Sequence, residues 1–295
     1  MSSIWNWYII IIAVGNLLGC WWLIRWTAKP RPGEAPLGET TGHVWDGNLT
    51  EYNKPMPKWW LYLFYITIVF AFVYLILMPG FFGGLLGWSQ VKAWEEDVAA
   101  AEARYGPIFA EYAKTPIPEL AQNSEAMASG GRLYANNCSV CHGAGARGAR
   151  GFPNLVDDAW LYGGSPEAIK ASIVNGRQGM MPPMAAAVGD TQAVAQVAAY
   201  VLSLSGRDVP ADQAEAGKAK FEQVCAACHG QDGTGNTAIG APNLTDDAWL
   251  YGPTMASIKH TINNGRQGQM PAWKERLGED RSHLLAAYVY SLGNR

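Results

Sequence analysis

The sequence predicts a mainly α-helical chain, with an N-terminal transmembrane hairpin leading to two copies of one small helical domain. Three observations carry that reading. Two long apolar runs lie within the first eighty residues, an internal repeat fills the chain from residue 126 onward, and each repeat copy holds a Cys-x-x-Cys-His motif. A length of 295 residues leaves room for about two domains. The formal charge of -3 argues against nucleic acid as a partner, since phosphate-backbone binders need concentrated Lys and Arg. Four of the five cysteines sit in the two motifs. The fifth, Cys20, falls in an apolar run and is expected to be a buried free thiol.

The first run, from Ile4 to Ile24, is interrupted only by Asn6 and Asn16 and is long enough to cross a bilayer. No Lys or Arg precedes it and no small-x-small site follows it, which sets it apart from a signal peptide. The second run, Trp59 to Met78, carries no charge and ends at Pro79-Gly80. Tryptophans at Trp5, Trp7, Trp21, Trp22, Trp59 and Trp60 mark the membrane interfaces. Arg25, Lys29, Arg31, Lys54 and Lys58 lie between the runs. The positive-inside rule therefore puts residues 25–58 in the cytoplasm and both chain ends outside. Residues 1–78 form the membrane anchor, with spans at about 4–24 and 59–78.

Residues 79–125 read as a linker outside the membrane. It begins glycine-rich, and the alanine-rich, charged stretch that follows predicts a helix from about Ser89 to Arg104. Pro107, Pro116 and Pro118 are expected to break the rest into an irregular tether.

Residues 126–207 and 208–295 then repeat one another. Gly130 and Gly217 stand eight residues before the first motif cysteine, Tyr134 and Phe221 four before it. Pro153-Asn-Leu-x-Asp-Asp-Ala-Trp160-Leu-Tyr162 recurs as Pro242-Asn-Leu-x-Asp-Asp-Ala-Trp249-Leu-Tyr251. Asn175-Gly-Arg177 and its loop match Asn264-Gly-Arg266, and Ala198-Ala-Tyr200 matches Ala286-Ala-Tyr288. The last helix of each copy has apolar residues at helical spacing. Little strand is expected in either copy. First and last helices are expected to cross within a copy, near Gly130 and Tyr200 and near Gly217 and Tyr288, the glycine permitting close approach.

Cys-x-x-Cys alone fits zinc, thiol redox or haem chemistry. The added histidine selects haem, because two thiols can form thioethers to the vinyl groups while the adjacent imidazole meets the iron. Cys138, Cys141 and His142 form the first such set, and Cys225, Cys228 and His229 the second. The pairs lie 87 residues apart, each inside its own copy, which disfavours a shared four-ligand zinc site. Two covalently bound c-type haems follow. Met181 and Met270 recur before a proline downstream of each motif and are the candidate distal ligands, although Met180 and Met184 crowd the first. His/Met ligation raises the reduction potential and suits electron transfer. The carbonyls of Pro153 and Pro242 are candidate partners for the other ring nitrogen of each histidine. Arg177 and Arg266 are candidates for haem propionates, with Trp160 and Trp249 closing each pocket. His260 and His283 lack counterparts in the other copy and read as ordinary surface or core residues. From residue 126 onward fourteen Lys and Arg face fourteen Asp and Glu. Ionised propionates would make this head mildly acidic, which suits a basic donor.

The chain as a whole resembles the dihaem subunit of cbb3-type cytochrome c oxidases. The likeness rests on Thr40-Thr-Gly-His43-x-Trp45-Asp-Gly47, Tyr105-Gly-Pro107-Ile-Phe109, the two haem motifs, Asn175-Gly-Arg177 and Leu284-Leu-Ala-Ala-Tyr-Val-Tyr-Ser-Leu292. The resemblance implies two class I cytochrome c domains, with axial pairs His142 and Met181, and His229 and Met270. It implies a bacterial inner-membrane protein whose haem domains are periplasmic. Its role would be to accept electrons from a soluble or anchored periplasmic cytochrome c. It would pass them to a monohaem cytochrome c subunit and on to the haem–copper catalytic subunit. Oxygen reduction and proton pumping would belong to that last subunit, so no catalytic residue is expected here. The tether makes the first copy the expected inner relay. A membrane-anchored dihaem carrier for another reductase or dehydrogenase is the alternative. A peroxidase or gas sensor would want an open sixth position on one haem.

Overall fold

A computed structural model describes residues 3–293, in two compact units that meet between Ala103 and Arg104. In the first unit, α1 (Ser3–Thr27) and α2 (Lys58–Leu77) carry the two apolar runs. Their side chains are almost wholly unburied by the rest of the chain, as helices built to face lipid require. Cys20 accordingly lies exposed on α1, not buried, because little else in the chain packs on that helix. Asn16 satisfies its amide locally, donating to the Ile12 carbonyl at 2.8 Å.

The cytoplasmic segment holds a hairpin that alternation alone did not predict. β1 (Thr40–Trp45) pairs antiparallel with β2 (Leu49–Tyr52). Asp46 and Gly47 turn the chain at φ of +48° and +82°, the left-handed pair that tight hairpins favour. The linker helix also differs from expectation. α3 (Gln90–Tyr112) runs on through Pro107. The proline removes one backbone donor, yet a helix can carry that loss when its other bonds persist.

After the end of α3, the second unit continues with α4 (Ile117–Leu120), where Pro116 is the N-cap and Pro118 the second residue, so that both begin a helical turn instead of breaking one. The first repeat copy contributes α5 (Ser124–Asn137), α6 (Ser139–His142), α7 (Pro166–Asn175), β3 (Arg177–Met181), α8 (Ala185–Val188) and α9 (Thr191–Leu204). The second contributes α10 (Ala211–Val224), α11 (Ala226–His229), α12 (Met255–Asn264), β4 (Arg266–Met270) and α13 (Lys274–Gly293). A break at Gly278, with φ of +76°, divides α13 as Gly189 divides α8 from α9. Side-chain caps at Asn123, Ser165, Asp190 and Thr254 start α5, α7, α9 and α12.

Two cores result, and neither belongs to one copy. The first joins Ile117 and Leu120 of α4, Tyr134 of α5, Ile169 and Ile173 of α7, and Leu284, Leu285 and Val289 of α13. The second joins Val194, Val197 and Val201 of α9 with Phe221 of α10 and Ile258 and Ile262 of α12. Each copy's last helix has therefore crossed to the other copy's first. A Cβ on Gly130 would stand 2.7 Å from Tyr288 Cβ, and one on Gly217 would strike the Gln196 carbonyl. Tyr134 packs on Tyr288 with ring centroids 5.6 Å apart, and Phe221 on Tyr200 at 5.2 Å. The expected crossings near Gly130 and Tyr200, and near Gly217 and Tyr288, are thus exchanged. Loop length supplies the reason. Only residues 205–210 separate α9 from α10, and a connection that short makes consecutive helices antiparallel neighbours.

The crossing point is a second two-stranded sheet. β3 and β4 pair antiparallel about Gly179 opposite Gly268, so Met181 lies across from Arg266 and Met270 across from Arg177. Little strand was expected, and these five-residue strands are the only ones described in the second unit.

Candidate haem sites

The two Cys-x-x-Cys-His segments fold alike. Cys138 ends α5 and Cys225 ends α10, and each is followed by a single helical turn closed by glycine, Gly143 at φ +79° and Gly230 at φ +81°. The turn places His142 N–H on the Cys138 carbonyl at 2.9 Å and His229 N–H on the Cys225 carbonyl at 3.0 Å. Both thiols of each pair therefore lie on the turn that ends in the histidine. Cys141 and Cys228 are exposed, Cys138 and Cys225 half-buried, and all four are free. Burial pushes the Cys138 and Cys225 thiols up to about 11, the neighbouring Cys141 and Cys228 adding to it.

His142 Nδ1 lies 3.0 Å from the Pro153 carbonyl and His229 Nδ1 3.1 Å from the Pro242 carbonyl, as the sequence predicted. A carbonyl only accepts, so Nδ1 carries the proton and Nε2 keeps its lone pair free for a metal. Burial lowers the His229 pKa, which favours the neutral, ligating form. The loop after each motif closes identically. Gly148 N–H donates to the His142 carbonyl at 2.8 Å and Gly235 N–H to the His229 carbonyl at 2.7 Å. This donor set fits a c-type haem: two unpaired thiols, an imidazole with a free Nε2, and a tether for its other nitrogen.

The structure distributes the methionines across copies. Met270 packs against the first core, as do Cys138 and Trp160. Trp273 N–H donates to the Ile173 carbonyl at 3.0 Å, and a Cβ on Gly176 would strike the Met270 carbonyl, so this strand end lies on the first copy. The Met181 segment lies on the second copy. Its carbonyl abuts Gly265, Met184 N–H donates to the Ile262 carbonyl at 2.8 Å, and Met184 itself packs into the second core with Cys225 and Trp249. Met180 is 73% exposed.

Arg177 and Arg266 are held within their own copies. Their Nε atoms donate to Ser172 and Thr261 hydroxyls at 2.8 Å, and they stack over Tyr162 and Tyr251 at 4.6 and 4.1 Å. His283 is a buried structural group: Nε2 donates to the Thr115 carbonyl at 2.8 Å, and Lys170 Nζ approaches Nδ1 at 3.2 Å. His260 is bonded to Asn264, and His43 lies 3.5 Å from Glu51 on the hairpin. Sequence reasoning missed Arg207. Its Nε, the Trp249 Nε1 and the Tyr162 hydroxyl are buried in the second unit without partners among the described residues.

Comparison with known proteins agrees along nearly the whole chain. Residues 37–84 match the family described as the N-terminal domain of cytochrome oxidase-cbb3, FixP. Residues 125–201 and 212–289 each match the family described as cytochrome c oxidase, cbb3-type, subunit III. A cbb3-type cytochrome c oxidase subunit CcoP from Rubrivivax gelatinosus is 47% identical over 99% of this chain and 95% of its own length. Subunits of the same description from Azospirillum brasilense and Cereibacter sphaeroides are 41% and 40% identical, over 86% and 90% of this chain and 95% and 97% of theirs.

Proposed function

The chain belongs to the subunit III family of cbb3-type cytochrome c oxidases, and on that premise we propose how its two halves hold and order their haems. It is an electron-transfer subunit of such an oxidase, a relay and not the catalytic centre, anchored by two helices in the inner membrane. Each motif binds one haem c, through Cys138, Cys141 and His142 and through Cys225, Cys228 and His229. The second unit is thus a fused pair of class I cytochrome c modules. When bound, each haem supplies a one-electron iron couple.

His142 with Met270, and His229 with Met181, would hold the two irons, exchanged relative to the within-copy pairing that the resemblance implied. The observation that supports this is the β3–β4 crossing, with Met270 packed on the first core and the Met181 carbonyl against Gly265 of the second copy. The protein's work is then positional. Pro153 and Pro242 fix the imidazoles and the sheet fixes the backbone of both methionines. A methionine held at each iron would favour a carrier over a peroxidase or gas sensor.

The tether enters the first core through Ile117 and Leu120. Electrons accordingly enter from a periplasmic cytochrome c at the second site and leave through the first. The next acceptors are a monohaem cytochrome c subunit and the haem–copper subunit.

Replacing Cys138 and Cys141 by Ala in the assembled oxidase leaves one haem in this subunit, at Cys225 and Cys228. The methionine–iron charge-transfer band of that haem is then lost on adding Met181→Ala and kept on adding Met270→Ala. The reverse pattern restores within-copy ligation. A band kept in both variants overturns the assignment of Met181 and moves the ligation to another methionine, Met184 on the second core being the nearest choice.

A further inference from the structure

The two repeat copies differ at a buried polar position. Lys170 of α7 and Lys259 of α12 match, each standing five residues before its Asn-Gly-Arg. His283 of α13, three residues before Ala286, has Ala195 of α9 as its counterpart, three before Ala198. The histidine is only 8% exposed, and Leu284 and Leu285 beside it are buried in the first core. A buried imidazole is costly unless its nitrogens are bonded. Here Nε2 donates to the Thr115 carbonyl at 2.8 Å, and Nδ1 accepts from Lys170 Nζ at 3.2 Å. Three segments far apart in the sequence thus meet on one ring: the end of the linker, α7 and α13. Nearby, Arg281 of α13 lies over the Phe109 ring of α3 at 4.6 Å, and Phe109 and Tyr112 pack against the first core. At the second core α10 follows α9 after residues 205–210, so no linker enters there. The histidine therefore coincides with the feature that sets the first core apart. Apolar contact at Ile117 and Leu120 holds the linker down but lets it slide, whereas a directional bond to the Thr115 carbonyl fixes its register.

We propose that His283 is a positioning residue for the electron step that leaves the first site. Bonded to Thr115 and Lys170, it locks the end of the linker to the body that carries the first haem, and so holds that haem at a fixed reach from the next acceptor. This rests on the reading above that electrons leave through the first site. His283 acts through the backbone of the linker and not on the iron, so its loss changes the outgoing step and spares the step between the two haems, which the interleaved helices and the β3–β4 sheet space.

The test uses the intact oxidase, photoreduced by a ruthenium complex, and follows two rates: exchange between the two haems of this subunit, and transfer from it to the monohaem subunit. His283→Leu fills the space without either bond. It should slow the outgoing transfer about tenfold, since a displacement of order 1 Å in a reacting pair is enough for that, and leave the internal exchange unchanged. The amide of His283→Gln can donate to the Thr115 carbonyl and accept from Lys170, so that variant should return the outgoing transfer to its natural rate. Lys170→Met removes one bond of the two and gives the comparison even where His283→Leu fails to assemble; it should slow the outgoing transfer about threefold. Hydrogen exchange at the Lys114 and Thr115 amides should quicken about fivefold in His283→Leu and stay at its natural rate in His283→Gln. The proposal is overturned if His283→Leu or, failing that, Lys170→Met leaves the outgoing transfer unchanged. Equal slowing in His283→Gln, or slowing of both rates together, overturns it as well, because either marks a general loss of packing. The exit reading is tested apart from it, in the oxidase carrying Cys138→Ala and Cys141→Ala, which keeps only the second site's haem. Transfer from that haem to the monohaem subunit at the natural rate refutes the reading, whatever His283 does.

Discussion

Tyr134 shows how one side chain serves both the core and the haem turn. Its ring is buried against Tyr288, and its hydroxyl donates to the Gly143 carbonyl at 2.8 Å, tying α5 to the glycine that closes the first motif. Burial, with Cys138 and Tyr288 nearby, pushes the phenol up to about 12, against an ordinary value near 10. A folded pKa above the unfolded one means stability that is fully present below about pH 10. It fades as pH rises from there through 12, by at most about 2–3 kcal/mol for a shift of about two units. Tyr134→Phe removes the hydrogen bond, costing about 1 kcal/mol at pH 7, and removes the titration too. The urea midpoint of the variant head should therefore lie below that of the natural sequence at pH 7 and above it at pH 12. A gap that stays constant over that range would sink the account. At this scale the sequence was informative: the proline carbonyls, the histidine orientation and the matched Tyr134 and Phe221 follow from repeat spacing.

Among the elements, the glycines at 130 and 217 set how closely the crossed helices approach. Gly217 lies against the backbone of α9, with a Cβ there meeting the Gln196 carbonyl, whereas Gly130 faces the Tyr288 side chain. Tyr288 Cβ is fixed by its backbone as firmly as the Gln196 carbonyl, but the Gly217 approach is the closer. Gly217→Ala should thus destabilise the head by about 3 kcal/mol, and Gly130→Ala by somewhat less, about 2 kcal/mol. Gly145→Ala, where a Cβ meets nothing within 4 Å, should stay within about 0.5 kcal/mol. Chemical denaturation of the three variants checks the order; equal costs at 217 and 145 would contradict the packing. Helix existence was legible from apolar spacing, and so was the role of glycine in a crossing. The partner was not, because periodicity gives a helix its apolar face without saying which neighbour covers it. The same limit hid the β1–β2 hairpin, whose Asp46-Gly47 turn is flanked by strands too exposed to alternate. It also hid the run of α3 through Pro107, where helical context outweighed one missing donor.

For the whole molecule, duplication and exchange have different consequences, and they can be separated by cutting the chain. Two independent domains joined by a linker would part once residues 205–210 were cleaved. In the structure the same six residues join α9 to α10 inside one core, while α13 returns to cover α5 and α7 in the other. Each fragment therefore contributes to both cores and, on the proposed ligation, one methionine to the other's haem. Separation would expose Leu284, Leu285, Val194 and Val197, each fully buried and worth about 1.5–3 kcal/mol. A head comprising residues 104–295, with a protease site inserted after Asp208, should remain a single species on size exclusion after complete cleavage. It should also keep both methionine–iron bands. Residues 126–207 expressed alone should fail to close their sixth position and should bind carbon monoxide rapidly. Fragments that elute apart with their bands intact would return the molecule to two self-contained cytochromes. The exchange also bears on electron flow. With the two haem turns held by one interleaved body, their separation is fixed by helix packing and the β3–β4 sheet, not by a flexible connection. A relay built this way keeps its internal step constant while the donor comes and goes. Extra residues inserted after Asp208 should leave the rate between the two haems unchanged once the exchanged fold has formed, because the helices and the β3–β4 sheet, with only Val209 from that connection, carry the packing that spaces them.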